Sequence, residues 1–253
     1  VIDVAARLSE ATSHDISPTF AALPRLTAQS LTVQSPTAPV LPVSPALAPV
    51  LPDGLRRGST VAVSGSVSLL LAVLGAASAG GAWCAMVGMP AISAEAARDF
   101  GIELSRLPLV PCPGSSWVVV VGALLDAVDV VVARAPARLA DGDIRRLAAR
   151  ARSRGAVFVP FLTSGAHWPH ADVRLSAEGG SWSGIGLGYG RLRQRQVTVT
   201  AAGRGQAARR RTAVLWLPTA TGGVEPISTQ SLATVVSFEP ARFESAQPLA
   251  SAR

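Results

Sequence analysis

Residues 55–89, LRRGSTVAVSGSVSLLLAVLGAASAGGAWCAMVGM, constrain the fold more than any other stretch. Thr60–Val63 reads as a strand, Ser64–Ser66 as a tight turn, and Val67–Ser78 as a helix; Gly80–Gly81 is a stop and Trp83–Val87 a second strand. Strand, helix and strand in that order make one βαβ unit. The turn between first strand and helix is where a nucleotide-binding chain places its phosphate loop, because backbone N–H groups and the positive helix end converge there. A loop of that kind needs G-x-x-x-x-G-K-[ST]. Here Gly65, Ser66, Val67 and Ser68 pass straight into Leu69-Leu70-Leu71, with no second glycine and no lysine. No lysine exists to repair it, since all 23 basic residues are arginine. The expectation is a loop degenerate at Gly65, Ser66 and Ser68.

Charged residues are only 15% of the 253 and the mean hydropathy is +0.36, which fits a sheet covered on both faces. The net charge of +7 suits contact with nucleic acid or an acidic partner and says nothing of fold. Cys84 and Cys112 are too few for a disulfide framework, so a reduced, cytoplasmic protein is expected. Ser59–Ala94 is uncharged and long enough to span a bilayer, but it holds five glycines and a Gly-Gly break. Its helix is apolar chiefly at Val67, Leu70, Leu71 and Leu74, a one-sided 3.6 pattern, so no membrane partner is expected.

The chain divides into a helical N-terminal segment at 1–29, a Pro-rich linker or surface arm at 30–52, a core at 53–222 and a tail at 223–253. Prolines at 36, 39, 42, 45, 49 and 52 exclude helix from the arm. Within the core, Ser93–Phe100 is a helix capped by Ser93 and stopped by Gly101, followed by a short LPLV strand and the apolar helix WVVVVGALLDA. Val128–Ala133 and Ala156–Leu162 read as strands buried on both faces. Between them Asp141–Gly155 starts with acids, ends with arginines and closes on glycine, a helix whose charges complement its dipole. From Ser176 the texture is all-β, with Gln196–Thr200 and Thr212–Leu217 as strands.

Taken together, LPDGLRRGSTVAVSG, AASAGGAWCAMVG, VDVVVA and HADVRL, in this order from about Leu51 to Leu217, resemble the RecA recombinase core. The resemblance implies an α/β, RecA-like P-loop NTPase-type fold: a mostly parallel central sheet flanked by helices, with antiparallel strands at its C-terminal end and the nucleotide loop lost. Carried across by position, it implies a series of absences. The loop lysine and magnesium-holding hydroxyl have no counterpart; the Walker B aspartate falls at Ala133 or Arg134, the catalytic glutamate near Met89 and Pro90, and the polar sensor near Pro160 and Phe161. Phosphoryl transfer rests on lysine, metal and a positioned water, so a pseudo-ATPase with no catalytic residue, cofactor or metal is expected. A lysine-free RecA-like chain with lost Walker motifs is similar to the actinobacterial ImuA-type accessory proteins of the damage-inducible mutagenesis cassette. That resemblance implies an adaptor in SOS mutagenesis and translesion synthesis, whose partners are an inactive Y-family-like polymerase of the ImuB type and an error-prone replicative-type polymerase. A RecA-fold nucleotide-binding regulator and a RecA-derived cell-division inhibitor are the alternatives.

Two further sets of residues bear on partners. Arg191, Arg193 and Arg195 alternate on one strand face, and Arg209, Arg210 and Arg211 precede the next strand. Antiparallel pairing would gather them into one patch for the phosphates of single-stranded DNA; a charged, solvated sheet edge is the plainer alternative. In the tail, Leu232, Val235, Val236 and Phe238 form a short apolar set suited to a partner groove. His167 and His170 flank Trp168-Pro169 with no cysteine or carboxylate cluster beside them, so they are not expected to hold a metal.

Overall fold

The computed structural model describes residues 40–163, 166–185, 190–204 and 208–227. Its strands are β1 (Val40–Leu41), β2 (Leu55–Arg56), β3 (Val61–Ser64), β4 (Cys84–Val87), β5 (Leu109–Val110), β6 (Val130–Arg134) and β7 (Val157–Leu162), then β8 (Val173–Ile185), β9 (Gly190–Gly203), β10 (Arg211–Trp216) and β11 (Glu225–Pro226). The helices are α1 (Val67–Ala79), α2 (Ala94–Asp99), α3 (Trp117–Ala127) and α4 (Asp141–Arg154).

Val61, Ala62 and Val63 are all buried because β3 runs through the middle of the sheet, parallel to β7 on one side and β8 on the other. Among the described residues the sheet order is β11-β10-β9-β8-β3-β7-β6-β4-β5. From β5 to β8 the strands are parallel; β9, β10 and β11 add on antiparallel. This is the α/β arrangement expected from the sequence.

Alternate side chains of the parallel strands enter two cores, as a pleat buried on both faces requires. Val130, Val132, Val157 and Val159 face α1, while Val131, Ala133 and Phe158 face α3 and α4 through Val121, Leu125, Ile144 and Leu147. Each helix starts and stops where its sequence predicts. Ser66 and Ser93 accept the N–H of Leu69 and Ala96, caps worth about 1 kcal/mol each. Asp141 and Asp143 open α4, Arg152 and Arg154 close it, and Gly155 takes the left-handed φ of 70° that ends it.

Three expectations change. The stretch 30–52 was expected to be a linker or surface arm, but residues 40–52 belong to the core. Leu41, Leu47, Val50 and Leu51 are all buried, and β1 pairs with β2. The prolines do not oppose this: Pro45 starts a 3-10 turn, where a missing N–H costs nothing, and the intervening apolar residues face inward. At the other end, β11 pairs with β10, so the core runs past its expected limit at 222 to 226. Finally, α1 is not one-sided. Leu69 to Gly75 are all buried, because the 40–51 segment and the end of α2 cover the side that the sheet leaves open, whereas Val67 at its start is 42% exposed. No helix among the described residues is long and apolar enough to cross a membrane.

Candidate nucleotide site and basic surfaces

β3 ends at Ser64 and α1 begins at Val67, so only Gly65 and Ser66 connect them. Gly65 adopts φ +83°, and a Cβ there would lie 2.8 Å from the carbonyl oxygen of Ala177 on β8. Glycine is therefore required twice over, for its left-handed backbone and for close approach to the neighbouring strand. Ser66 turns its side chain back on the helix: its Oγ accepts from Leu69 N at 3.3 Å, and its carbonyl accepts from Leu70 N at 3.2 Å. Ser68 is half-buried in the first turn of α1. A phosphate loop bulges out so that consecutive N–H groups surround a phosphate; this turn instead lies flat against β8.

The neighbouring strand ends carry the other positions named above. Ala133 is fully buried and Arg134 is exposed at the end of β6, with the Arg134 carbonyl accepting from Trp117 Nε1 at 2.9 Å. Met89 is buried and Pro90 exposed after β4, and Pro160 and Phe161 are buried within β7. None of these side chains can ligate magnesium or polarise water, and the charge among them, on Arg134, repels a cation. Among the described residues no group of three His, Cys, Asp or Glu lies together; His167 and His170 are both exposed, and His170 Nδ1 sits 3.0 Å from Arg204 Nη2.

The arginines are not gathered into one patch. β9 and β10 pair with Arg211 opposite Ala201, while the Arg195 carbonyl accepts from Leu217 N at 2.7 Å. Six residues of strand, about 20 Å, separate Arg195 from Ala201. Antiparallel pairing thus sends the two triplets to opposite ends of the hairpin. Arg195 is also engaged: its Nη2 donates to the Gly179 carbonyl at 2.7 Å and its guanidinium lies 5.9 Å from the Trp182 ring centre. Arg193 is exposed beside it; Arg191 lies on β9, but its side chain is outside the described residues. Arg209 and Arg210 are exposed and Arg211 is half-buried. Leu232, Val235, Val236 and Phe238 lie outside the described residues.

The register reveals a grouping that spacing along the chain does not. Arg211 lines a cavity of about 410 Å³ together with Arg56, Arg57, Arg152 and Arg204, at the end of the sheet opposite Gly65. The five come from the end of β2 and the loop after it, the end of α4 and the two sides of the β9–β10 connection, so no local motif announces them.

Residues 49–170 match the family model described as the MT3502 N-terminal domain. Over 132 residues the chain is 36% identical to Rv3395c, an uncharacterized protein of Mycobacterium tuberculosis; the match covers 52% of this chain and 63% of that relative's length. The crystal structure of the RadB recombinase is similar to this one with a TM-score of 0.53, covering 73% of this chain and 97% of that chain at 15% identity. With the strand order and the β3–α1 crossover, this likeness shows that the chain has a RecA-like fold.

Proposed function

We propose that this chain is a non-catalytic RecA-like accessory protein, an adaptor in DNA-damage-induced mutagenesis and translesion synthesis. It holds a catalytically inactive Y-family-like partner of the ImuB type beside an error-prone replicative-type polymerase. The observation that carries the reading is the two-residue Gly65–Ser66 turn where a RecA-like frame would place its phosphate cradle. Ala133 and Arg134 at the strand end that would hold the metal carboxylate support it. The name of the fold neighbour, a recombinase, brings DNA transactions into view. The resemblance to ImuA-type proteins narrows them to mutagenesis.

The reading is tested by co-purification from cells treated with a DNA-damaging agent, with the full chain and a form lacking residues 228–253. The full chain is expected to retain the polymerase-like partner and the shortened form to lose it, because the apolar set Leu232, Val235, Val236 and Phe238 lies in the deleted part. Retention by the shortened form moves the contact to the core; absence of any polymerase-like partner from the full-chain sample overturns the adaptor role.

A further inference from the structure

The cavity at the start of β3 joins an apolar floor to a cationic mouth. Its floor is core: Val50, Leu51 and Val61 are buried there. Its mouth is cationic. Arg57 is held by Asp129 and Arg204 contacts His170, whereas the guanidinium groups of Arg56, Arg152 and Arg211 have no hydrogen bond or ion pair among the described residues. Two carboxylates also line it. Asp172 is committed to the Thr60 N–H at 2.8 Å, and Asp53 is exposed. Five arginines against Asp53, Asp172 and the Asp129 that holds Arg57 leave a net charge of +2 around about 410 Å³, the size range of small-ligand sites.

Guanidinium groups brought together without carboxylate partners repel one another unless an anion joins them, and their planar forks match phosphate oxygens two at a time. The apolar floor calls for more than a bare anion: a ligand with an organic body behind its phosphate. We propose that this cavity is a binding site for a phosphomonoester, with the phosphate at Arg56, Arg152 and Arg211 and the attached organic group on the Val50–Leu51–Val61 floor.

The surroundings favour one source of that group. Arg210, next to Arg211, lines a second cavity of about 260 Å³ with Arg174 and the hydroxyl residues Ser64, Ser176 and Thr200. Ser64 pairs with Ser176 across β3 and β8, and Ser176 with Thr200 across β8 and β9, so the hydroxyl residues form a row across one sheet face, with Thr200 buried and Ser176 Oγ donating to Glu178 Oε1 at 3.3 Å. A nucleic-acid strand with its 5′-phosphate in the first cavity finds further phosphate partners at Arg210 and Arg174; a free nucleotide does not use them.

The test is fluorescence anisotropy of the full chain at low salt with a short single-stranded DNA labelled at its 3′ end, carrying either a 5′-phosphate or a 5′-hydroxyl. The 5′-phosphorylated strand is expected to bind about tenfold tighter or more, the scale of charge-assisted hydrogen bonds to one extra phosphate charge. Arg152→Gln with Arg211→Gln is expected to abolish that preference, and Arg193→Gln to leave it. Should the double variant not fold, Arg152→Gln alone, at an exposed position, is expected to reduce the preference. Displacement of the strand by deoxyadenosine monophosphate but not by deoxyadenosine supports the site with a free nucleotide as sufficient ligand; displacement by neither supports it with the strand end as the source. Equal affinity for the two strands, absence of binding, displacement by deoxyadenosine, or a preference that survives in the folded variants would overturn the proposal.

Discussion

Arg57 donates to Asp129 at 2.9 Å across 72 residues of sequence, joining the loop before β3 to the residue that precedes β6. The second carboxylate oxygen of Asp129 accepts from Trp83 N at 2.9 Å, so one side chain fastens the N-terminal ends of three strand entries. The pair is largely shielded, with 20% and 13% of its side chains exposed. Asp129→Ala removes the acceptor of a partly buried guanidinium and of a backbone N–H. We expect a loss of about 2–4 kcal/mol, from the penalties for such orphaned groups. Asp129→Asn keeps an acceptor for Trp83 and is expected to lose less. Urea unfolding of the three proteins checks this; an Asp129→Ala midpoint equal to that of the parent contradicts it.

The two cysteines should differ sharply. Cys84 is fully buried in β4, and its thiol is pushed up to about 12, chiefly by burial and further by the nearby charge of Asp129. Cys112 is exposed. At pH 8 a thiol reagent is expected to modify one group quickly in the folded protein and two in denaturant. Cys112→Ser is expected to leave no fast group; a fast group in that variant contradicts the burial of β4.

Asp126 on α3 takes Arg150 and Arg154 of α4, with Arg154 Nε at 3.1 Å, and the hydrogen bond from Arg150 holds its carboxyl below the usual aspartate range. A depressed folded pKa contributes stability that is fully present above the unfolded aspartate value, about 3.9, and is lost as pH falls through the lower folded value. The difference in urea midpoint between the parent and Asp126→Asn is therefore expected to be constant from neutral pH to about pH 5 and to close below about pH 4, on the same linkage. A gap that widens on acidification has the wrong sign for this clasp.

Gly75 reverses the usual rule for helices. Alanine normally stabilises a helix interior over glycine by about 0.5–1 kcal/mol. Here a Cβ at residue 75 would come within 2.0 Å of the Phe100 carbonyl oxygen, where the end of α2 crosses α1. Gly75→Ala is expected to destabilise by about 1–3 kcal/mol, the cost of overpacking a backbone contact. Thermal unfolding reads the sign directly; stabilisation contradicts the close crossing.

Much of the fold was legible because its signals are local. The serine cap at Ser93, Gly155 at the end of α4, and near-continuous apolar runs at Val130–Val132 and Val157–Val159 each mark an element without reference to its neighbours. What stayed hidden depended on register and burial. Prolines at 42, 45 and 49 describe a backbone that cannot be helical, and that property is shared by a tether and by a segment packed into the core. The candidate site divides the same way. The shortened turn at Gly65–Ser66 is a fact of spacing. The meeting of Arg211 with Arg56 and Arg152, and its separation from Arg195, follow from pairing Arg211 with Ala201.

The central claim is that a RecA-like frame persists here without nucleotide chemistry at the β3–α1 turn. It is tested most directly by calorimetric titration of the full chain with ATP, with and without magnesium, alongside an assay of phosphate release. The account predicts no phosphate release above the protein-free rate and no strengthening of ATP binding by magnesium, since Ser66 Oγ is spent on Leu69 and Arg134 stands at the end of β6. Magnesium-independent binding that disappears in Arg152→Gln with Arg211→Gln belongs to the arginine cavity. Magnesium-dependent binding in the low micromolar range, or turnover, would contradict the account.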